Sequence, residues 1–398
     1  MERNFVVRGE AYPVGGPGRF LLGRAEELAP ELMGEYEGRV RLICIDPPFG
    51  TGETFSIKPA GAKQKLIVPV YSDSLGEKAY LDMMRKVLRA CHALLAADGS
   101  IYLHIDYRMS AKLRLMMDEI FGEENFLNEI IWTYKSGGRS LRHYSRKHDT
   151  ILFYRKSPSV YFDIAAVGMP RGPQKRNNMK RTVDADGRVC FSIRSGGKTY
   201  TYYEDTPIYP SDVWDDIEHM HQRDPERTGF ATQKPAALLR RMILASSKEG
   251  DLVADFFSGS GTTAAAASAL GRHYLAVDSS PAAMGMLRRR QLEGHREGSL
   301  LKDAAGMRIE YAVVPEADIA ADYAASRADG RVELTFRGFS SEWGVAYAAL
   351  GAIDADGFFR PENYALLPVP GVRLTARAGA VLQVCDYAGG MKFWGIDN

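Results

Sequence analysis

Two short stretches of this sequence carry residues whose types and order could do chemistry. The first is Asp46-Pro47-Pro48-Phe49. Two consecutive prolines fix φ and remove backbone donors, so the carboxylate of Asp46 and the carbonyl of Pro47 can point rigidly at one spot. There they would accept both hydrogens of an exocyclic amino group, while Phe49 offers a flat apolar face for a heterocyclic base. Acceptors that hold both amino hydrogens draw the nitrogen lone pair out of ring conjugation, so that it can attack a methyl sulfonium in line. A bare Asp-Pro-Pro after a strand is more often a plain turn; the second stretch is what raises this one above that reading.

The second stretch is DFFSGSGTT, Asp255 to Thr263. Gly259 and Gly261 let backbone amides approach a ligand at the start of the following helix, where the dipole favours negative groups. Asp278 stands 19 residues beyond Gly259, at the end of the next apolar run. A carboxylate there can accept both ribose hydroxyls of a nucleoside. Two ligands satisfy this pattern, because Gly259-x-Gly261-x-x-Ala264 also fits the dinucleotide fingerprint and the spacing to Asp278 suits NAD. The Asp46 stretch favours a methyl donor, since hydride transfer would leave it without a task.

The elements that must position these stretches follow from apolar periodicity. Phe20 to Leu22 and Val40 to Ile45 predict strands, the second ending at Asp46-Pro47-Pro48, which cannot continue a ladder. Gly50 to Ser74 has no sustained period and predicts a long, mobile loop. Glu77 to Ala96 predicts an amphipathic helix burying Tyr80, Met84, Val87, Cys91 and Leu94, stopped by Asp98-Gly99. A strand over Ser100 to Ile105, a helix over Ala111 to Phe121, and strands over Asn128 to Trp132 and Thr150 to Tyr154 follow. Pro235 opens a helix to about Ser247. Asp251 to Phe257, Thr262 to Leu270 and His273 to Val277 then read as strand, helix and strand, a βαβ unit that implies a parallel sheet. Beyond Gly298 the chain reads as partly helical to about Arg327. Short β runs follow at Val332 to Phe336, Val372 to Thr375 and Val381 to Cys385.

Length and composition bound the rest. With 398 residues, 45% hydrophobic and 25% charged, the chain is of ordinary globular composition with material for more than one domain. Cys44, Cys91, Cys190 and Cys385 form no CxxC pair, which argues against a disulfide framework or a zinc knuckle. No apolar run nears the roughly 20 residues of a membrane span. The opening MERNFVVRGEAYPVGG does not read as a secretory signal, so a cytoplasmic location is expected. The net charge of +1 hides an asymmetry: Thr133 to Tyr200 holds 15 Lys or Arg against 4 Asp or Glu, a balance of +11 that leaves −10 elsewhere. Such a block points to a polyanion. Its candidates for phosphate contact are Lys135, Arg139, Arg142, Arg146, Lys147, Lys175, Arg176, Lys180 and Arg181. Tyr134, Tyr144, Tyr154 and Tyr161 are interleaved for stacking or sugar contacts.

Together these motifs resemble a known family. DPPFGTG is similar to the catalytic tetrapeptide and following loop of the amino-directed DNA methyltransferases, which make N6-methyladenine or N4-methylcytosine. DFFSGSGTT resembles their S-adenosylmethionine loop, and RTGFATQKP, Arg227 to Pro235, the segment leading into it. SIYLHID, FGEENFLNEIIW and RKHDTILFYRKS also look like family segments. The order, catalytic tetrapeptide first and cofactor loop last, is that of the β class, which includes type III modification subunits. The likeness runs from about Leu21 to Leu292.

The resemblance implies a doubly wound α/β, Rossmann-like fold that uses S-adenosylmethionine and methylates a flipped base in duplex DNA. Asp46, Pro47 and Phe49 would hold and stack that base, with Pro48 shaping the turn. Asp255, Phe257, Gly259, Ser260, Gly261, Thr262, Thr263 and Asp278 would line the cofactor pocket, and Lys234 would reach the cofactor's methionine carboxylate. Tyrosine is commoner than phenylalanine at position 49, so one polar contact is lost while stacking is kept. Aspartate rather than serine at position 46 leans toward adenine. The expected organisation is a catalytic half over 1–132, a target-recognition region over 133–223, a cofactor half over 224–302 and a β-rich module over 303–398. A homodimer and a cognate restriction endonuclease are the protein partners the family would suggest.

Other features carry less. Gly196-Gly197-Lys198-Thr199 resembles the end of a phosphate loop but lacks its first glycine, Ser192 standing there. His219 and His221 form an HxH, but the chemistry above needs no metal. Cys44 lies inside an apolar run, where packing is the usual role, and His104 and Asp106 at a strand end read as hydrogen-bonded packing.

Overall fold

The computed structural model describes residues 7–12, 18–49, 54–57, 68–72, 76–135, 140–171, 179–221, 224–230, 232–293, 307–366 and 368–396. Six parallel strands lie side by side at its centre, in the order Leu95–Ile105, Val40–Ile45, Leu252–Asp255, His273–Asp278, Gly18–Leu22 and Met307–Tyr311. These strands are apolar on both faces, as a parallel sheet covered by helices requires: Leu42, Ile43, Val253, Ala254, Leu275 and Val277 are all buried. Helices Ala25–Glu31, Glu77–Leu94 and Ser110–Phe121 cover one face. Ala236–Ser246, Thr262–Ala269 and Pro281–Glu293 cover the other. This is the doubly wound α/β architecture expected.

The chain leaves Val40–Ile45 for Leu95–Ile105 on one side and leaves Leu252–Asp255 for His273–Asp278 on the other. The winding direction therefore reverses between two adjacent strands. A crevice opens at the carboxyl ends where it does so, and those ends carry Asp46 and Asp255.

Helix Glu77–Leu94 buries the five residues its spacing predicted, but it stops at Leu94, before Asp98-Gly99. Those two residues lie inside the strand Leu95–Ile105 instead, where the register slips: Leu95 pairs with Val40 and Ser100 with Leu42. A Cβ on Gly99 would stand 2.9 Å from the carbonyl oxygens of Val40 and Arg41. Glycine is there for the close approach of two strands. The expected loop over 50–74 is also corrected, because Thr54–Ile57 and Val68–Ser72 pair as an antiparallel ribbon.

Part of the basic region belongs to the main sheet. Phe126–Thr133 and His148–Arg155 are antiparallel sheet strands beside Leu95–Ile105, and Val213–Trp214 pairs parallel with the outer one. Tyr154, read as a surface contact, is fully buried. It packs on Phe121 and Phe126 and its hydroxyl donates to Asp118. Further along, Lys180–Val183, Val189–Ser195 and Lys198–Tyr203 form a separate three-stranded sheet.

The C-terminal region is β-rich, as expected, but it is fused to the main sheet. Gly9–Ala11 lies between Met307–Tyr311 and Phe358–Leu366, and Val345–Ile353, Val381–Asp386 and Met391–Gly395 continue outward. The helical expectation up to Arg327 fails. Ile319–Ala328 is a strand paired with Arg331–Ser341. Asp329 and Gly330 join them with φ of 52° and 72°, the conformation of a two-residue hairpin turn. That turn overrides the helical preference of the alanine-rich run.

Candidate active site

The strand Val40–Ile45 delivers Asp46 to the crevice, where two side chains from other elements contact it and a second carboxylate stands behind one of them. His104, at the end of the neighbouring strand, places Nδ1 2.9 Å from one Asp46 oxygen. Lys234, just before the helix Ala236–Ser246, donates to the other oxygen at 2.5 Å. Asp149, from the antiparallel strand beyond, lies 3.2 Å from His104 Nε2, and the Tyr134 hydroxyl donates to the far side of Asp149 at 3.3 Å. Burial pushes the Asp46 carboxyl up, but the Lys234 ammonium and the His104 ring beside it outweigh that and hold it at about 2. Burial and the Lys234 charge work against the His104 proton, yet the two carboxylates hold it above the ordinary histidine value.

Phe49 is half-buried against the helical core. Its ring meets His104 edge-on at 5.5 Å, with the Lys234 ammonium 5.3 Å over its centre. Pro48 and Asp46 line the crevice.

Across the crevice the glycine loop is held by Asp278. One carboxylate oxygen accepts the Gly259 amide at 2.7 Å and the other accepts the Ser280 amide at 2.8 Å. Asp255 accepts the Phe257 amide at 3.0 Å. Burial raises Asp255 to about 7, against the Thr263 hydroxyl and the Phe257 amide that stabilise its charge; burial raises Asp278 too. Gly261 caps the helix with φ of 74°, and a Cβ there would stand 2.7 Å from Leu287. It shapes the turn and lets the helix pack, whereas Gly259, Ser260, Thr262 and Thr263 line the cavity.

One cavity of 460 Å3 joins the two ends, running from Asp46, His104 and Lys234 past Asp255 and Phe257 to Asp278. The hydroxyl of Ser258, on the cavity wall, is buried without a hydrogen-bond partner among the described residues. A nucleoside-bearing ligand, rich in donors and acceptors, suits such a lining.

The structure thus brings together Asp46, Lys234 and the loop residues that the sequence singled out. Lys234, expected to reach the cofactor's methionine carboxylate, lines the cavity and also donates to Asp46. His104, expected as hydrogen-bonded packing, is buried and hydrogen-bonded, and its partners are Asp46 and Asp149; Asp149 was not singled out at all. The one signal was that both are polar residues at the ends of apolar strands. Cys44 is buried, as expected.

Of the basic candidates, Lys135 pairs with Glu218, Arg181 with Glu204, and Arg146 lies over Tyr107 at 4.1 Å. Arg142 and Lys180 are exposed, while Lys147 is half-buried. Thr133 pairs with His148 and Ile105 with Thr150, so Lys135, Arg142, Arg146 and Lys147 belong to a connection at the same end of the sheet's strands as Asp46. Arg139, Lys175 and Arg176 lie outside the described residues.

The DNA methylase family profile for N6 and N4 methyltransferases matches residues 40–288, a span containing both chemical stretches. The type II methyltransferase M.EcaI of Enterobacter cloacae is 29% identical over 288 residues, covering 61% of this chain and 62% of its own length. The DNA adenine methyltransferase YhdJ of Escherichia coli (strain K12) is 29% identical over 262 residues, covering 64% and 78%. Among solved structures, a candidate DNA modification methylase of Thermus thermophilus in complex with S-adenosyl-L-methionine is 19% identical. It covers 74% of this chain and 97% of its own, with a TM-score of 0.43. The chain spans under two thirds of the first of these relatives.

Proposed function

The chain belongs to the DNA methylase family, and from that premise we propose that it transfers a methyl group from S-adenosylmethionine to the N6 amino group of adenine in duplex DNA. The observation that carries this reading is the single cavity with an ionised carboxylate, Asp46, at one end and a loop-anchoring carboxylate, Asp278, at the other. Asp278 has lone pairs left for ribose hydroxyls, Ser258 on the cavity wall offers a hydroxyl, and Asp255 and Phe257 line the middle. Lys234 has hydrogens beyond the one it gives Asp46, and these suit the cofactor's amino-acid carboxylate. The cofactor supplies an electrophilic methyl group on sulfur.

Asp46 and the Pro47 carbonyl hold the amino hydrogens of the flipped base, which exposes the nitrogen lone pair for direct attack. A carboxyl held at about 2 is a hydrogen-bond acceptor and a poor proton store, so the proton shed by the methylated amine passes on to solvent. Lys135, Arg142, Arg146 and Lys147, on the connection at this end of the strands, meet phosphates, and binding weakens steeply with salt. Adenine is favoured by aspartate at position 46 and by the adenine methyltransferase among the relatives.

The test is to incubate the protein with S-adenosylmethionine and unmethylated genomic DNA, digest to nucleosides and identify the product by mass spectrometry. N6-methyldeoxyadenosine is the expected product. N4-methyldeoxycytidine would keep the chemistry and overturn the base, and no methylated nucleoside would overturn the reading.

A further inference from the structure

Each ring nitrogen of His104 faces a carboxylate. Nδ1 lies 2.9 Å from Asp46 and Nε2 3.2 Å from Asp149. A neutral imidazole carries one hydrogen and would leave its other nitrogen lone pair facing a carboxylate oxygen; only the doubly protonated ring donates to both. The ring is buried and lies against Phe49 at 5.5 Å and Trp132 at 5.8 Å, which leaves little room to turn away.

Resting on the methyltransferase reading, we propose that His104, braced by Asp149, is a positioning residue for the transfer, acting as an imidazolium that fixes the orientation of the Asp46 carboxylate. A carboxylate has about four lone-pair sites. Lys234 and His104 take one on each oxygen, which sets the plane of the group and leaves one site on each oxygen for the substrate. Losing one anchor frees the Asp46 side chain to rotate, and misplacement of a reacting group by an ångström costs on the order of 100-fold in rate.

The charged and titratable groups around the ring come from every neighbouring element. Asp46 ends one strand, Asp149 opens another, Lys234 precedes a helix, and Asp106 follows His104 on its own chain. Tyr134 bonds Asp149, and His219 stacks on Trp132. The two carboxylates in contact outweigh burial and the Lys234 charge, so the ring keeps its second proton above the ordinary histidine range. Turnover accordingly declines as pH rises through the His104 value.

The test pairs nitrogen-15 NMR of the imidazole with the pH profile of kcat. In the wild type at about pH 7, both His104 ring nitrogens are expected to carry hydrogen, and kcat is expected to fall on the alkaline side with the same midpoint as the NMR titration. Asp149→Asn removes one carboxylate and is expected to move both midpoints to lower pH together. His104→Gln is expected to abolish that limb and lower kcat roughly 10- to 100-fold, with KM for S-adenosylmethionine unchanged. A neutral His104 in the wild type at about pH 7, or midpoints unmoved by Asp149→Asn, would overturn the proposal. So would wild-type turnover by His104→Gln. The NMR arm needs no activity and, in the wild type, no substitution. A wild type that transfers no methyl group would therefore break the functional reading separately.

Discussion

Two clusters of buried charge can be compared within this molecule. Around Glu10, Arg288 donates from two nitrogens, Tyr12 and Tyr311 donate their hydroxyls, and Gln383 donates its amide at 2.8 Å. Both members of the ion pair are fully buried. Every lone pair of that carboxylate has a donor, and the donors come from the N-terminal strand, a helix of the catalytic sheet and the C-terminal strands. Around Asp46 there are two side-chain donors among the described residues, and the group opens on a 460 Å3 cavity. Both carboxyls are held below their ordinary range by an adjacent cation. The difference lies in what is left over: a saturated carboxylate joins parts of a fold, and an unsaturated one facing a cavity is available for chemistry.

Substitutions sharpen this contrast, beginning with the largest effect. Asp46→Ala is expected to lower kcat by about 100- to 1,000-fold, the scale of losing a preorganised polar contact to reacting atoms, while the melting temperature stays close to the wild type. A large drop in melting temperature would make the Asp46 cluster structural after all. Arg288→Ala should do the reverse. Leaving Glu10 buried without its ion partner costs about 3–5 kcal/mol of stability, read by denaturant unfolding, whereas activity per folded molecule is retained. Glu10 is depressed in the folded state, so its contribution is present above the unfolded carboxyl range and is lost as pH falls through the folded value.

A smaller effect concerns Asp255, which burial raises to about 7. A carboxyl raised on folding destabilises the folded chain progressively as pH climbs from its unfolded range toward 7, and by a constant amount above that. Asp255→Asn is therefore expected to raise the melting temperature at about pH 8 and to leave it unchanged near pH 4. A stabilisation of order 1 kcal/mol corresponds to roughly 2–4 °C. A melting temperature that falls at about pH 8 would show that the charge of Asp255 contributes to stability.

Much of this was legible in the sequence because it rests on local patterns. The strand ending at Asp46-Pro47, the helix burying Tyr80 through Leu94 and the glycine loop before Thr262 depend on periodicity and backbone chemistry within a few residues. What was not legible depends on distant register. His104 and Asp149 meet only because Leu95–Ile105 and His148–Arg155 pair with His104 opposite Ile151, and no spacing along the chain encodes that pairing. The fate of Ala320 to Ala328 was decided by Asp329-Gly330, a hairpin signal present in the sequence but outweighed there by the alanine-rich composition before it. The fusion of the C-terminal strands to the sheet turns on Gly9–Ala11, three residues too few to carry a period.

The central claim is that one cavity has two ends with separate tasks, Asp278 for the cofactor and Asp46 for the reacting amine. Calorimetric titration of S-adenosylmethionine into the wild type, Asp46→Ala and Asp278→Ala tests it most directly. Asp46→Ala is expected to bind within a few-fold of the wild type. Asp278→Ala is expected to weaken binding by roughly 10- to 100-fold, the worth of a charge-assisted hydrogen bond or two. Equal loss of binding in both variants, or no loss in Asp278→Ala, would contradict it.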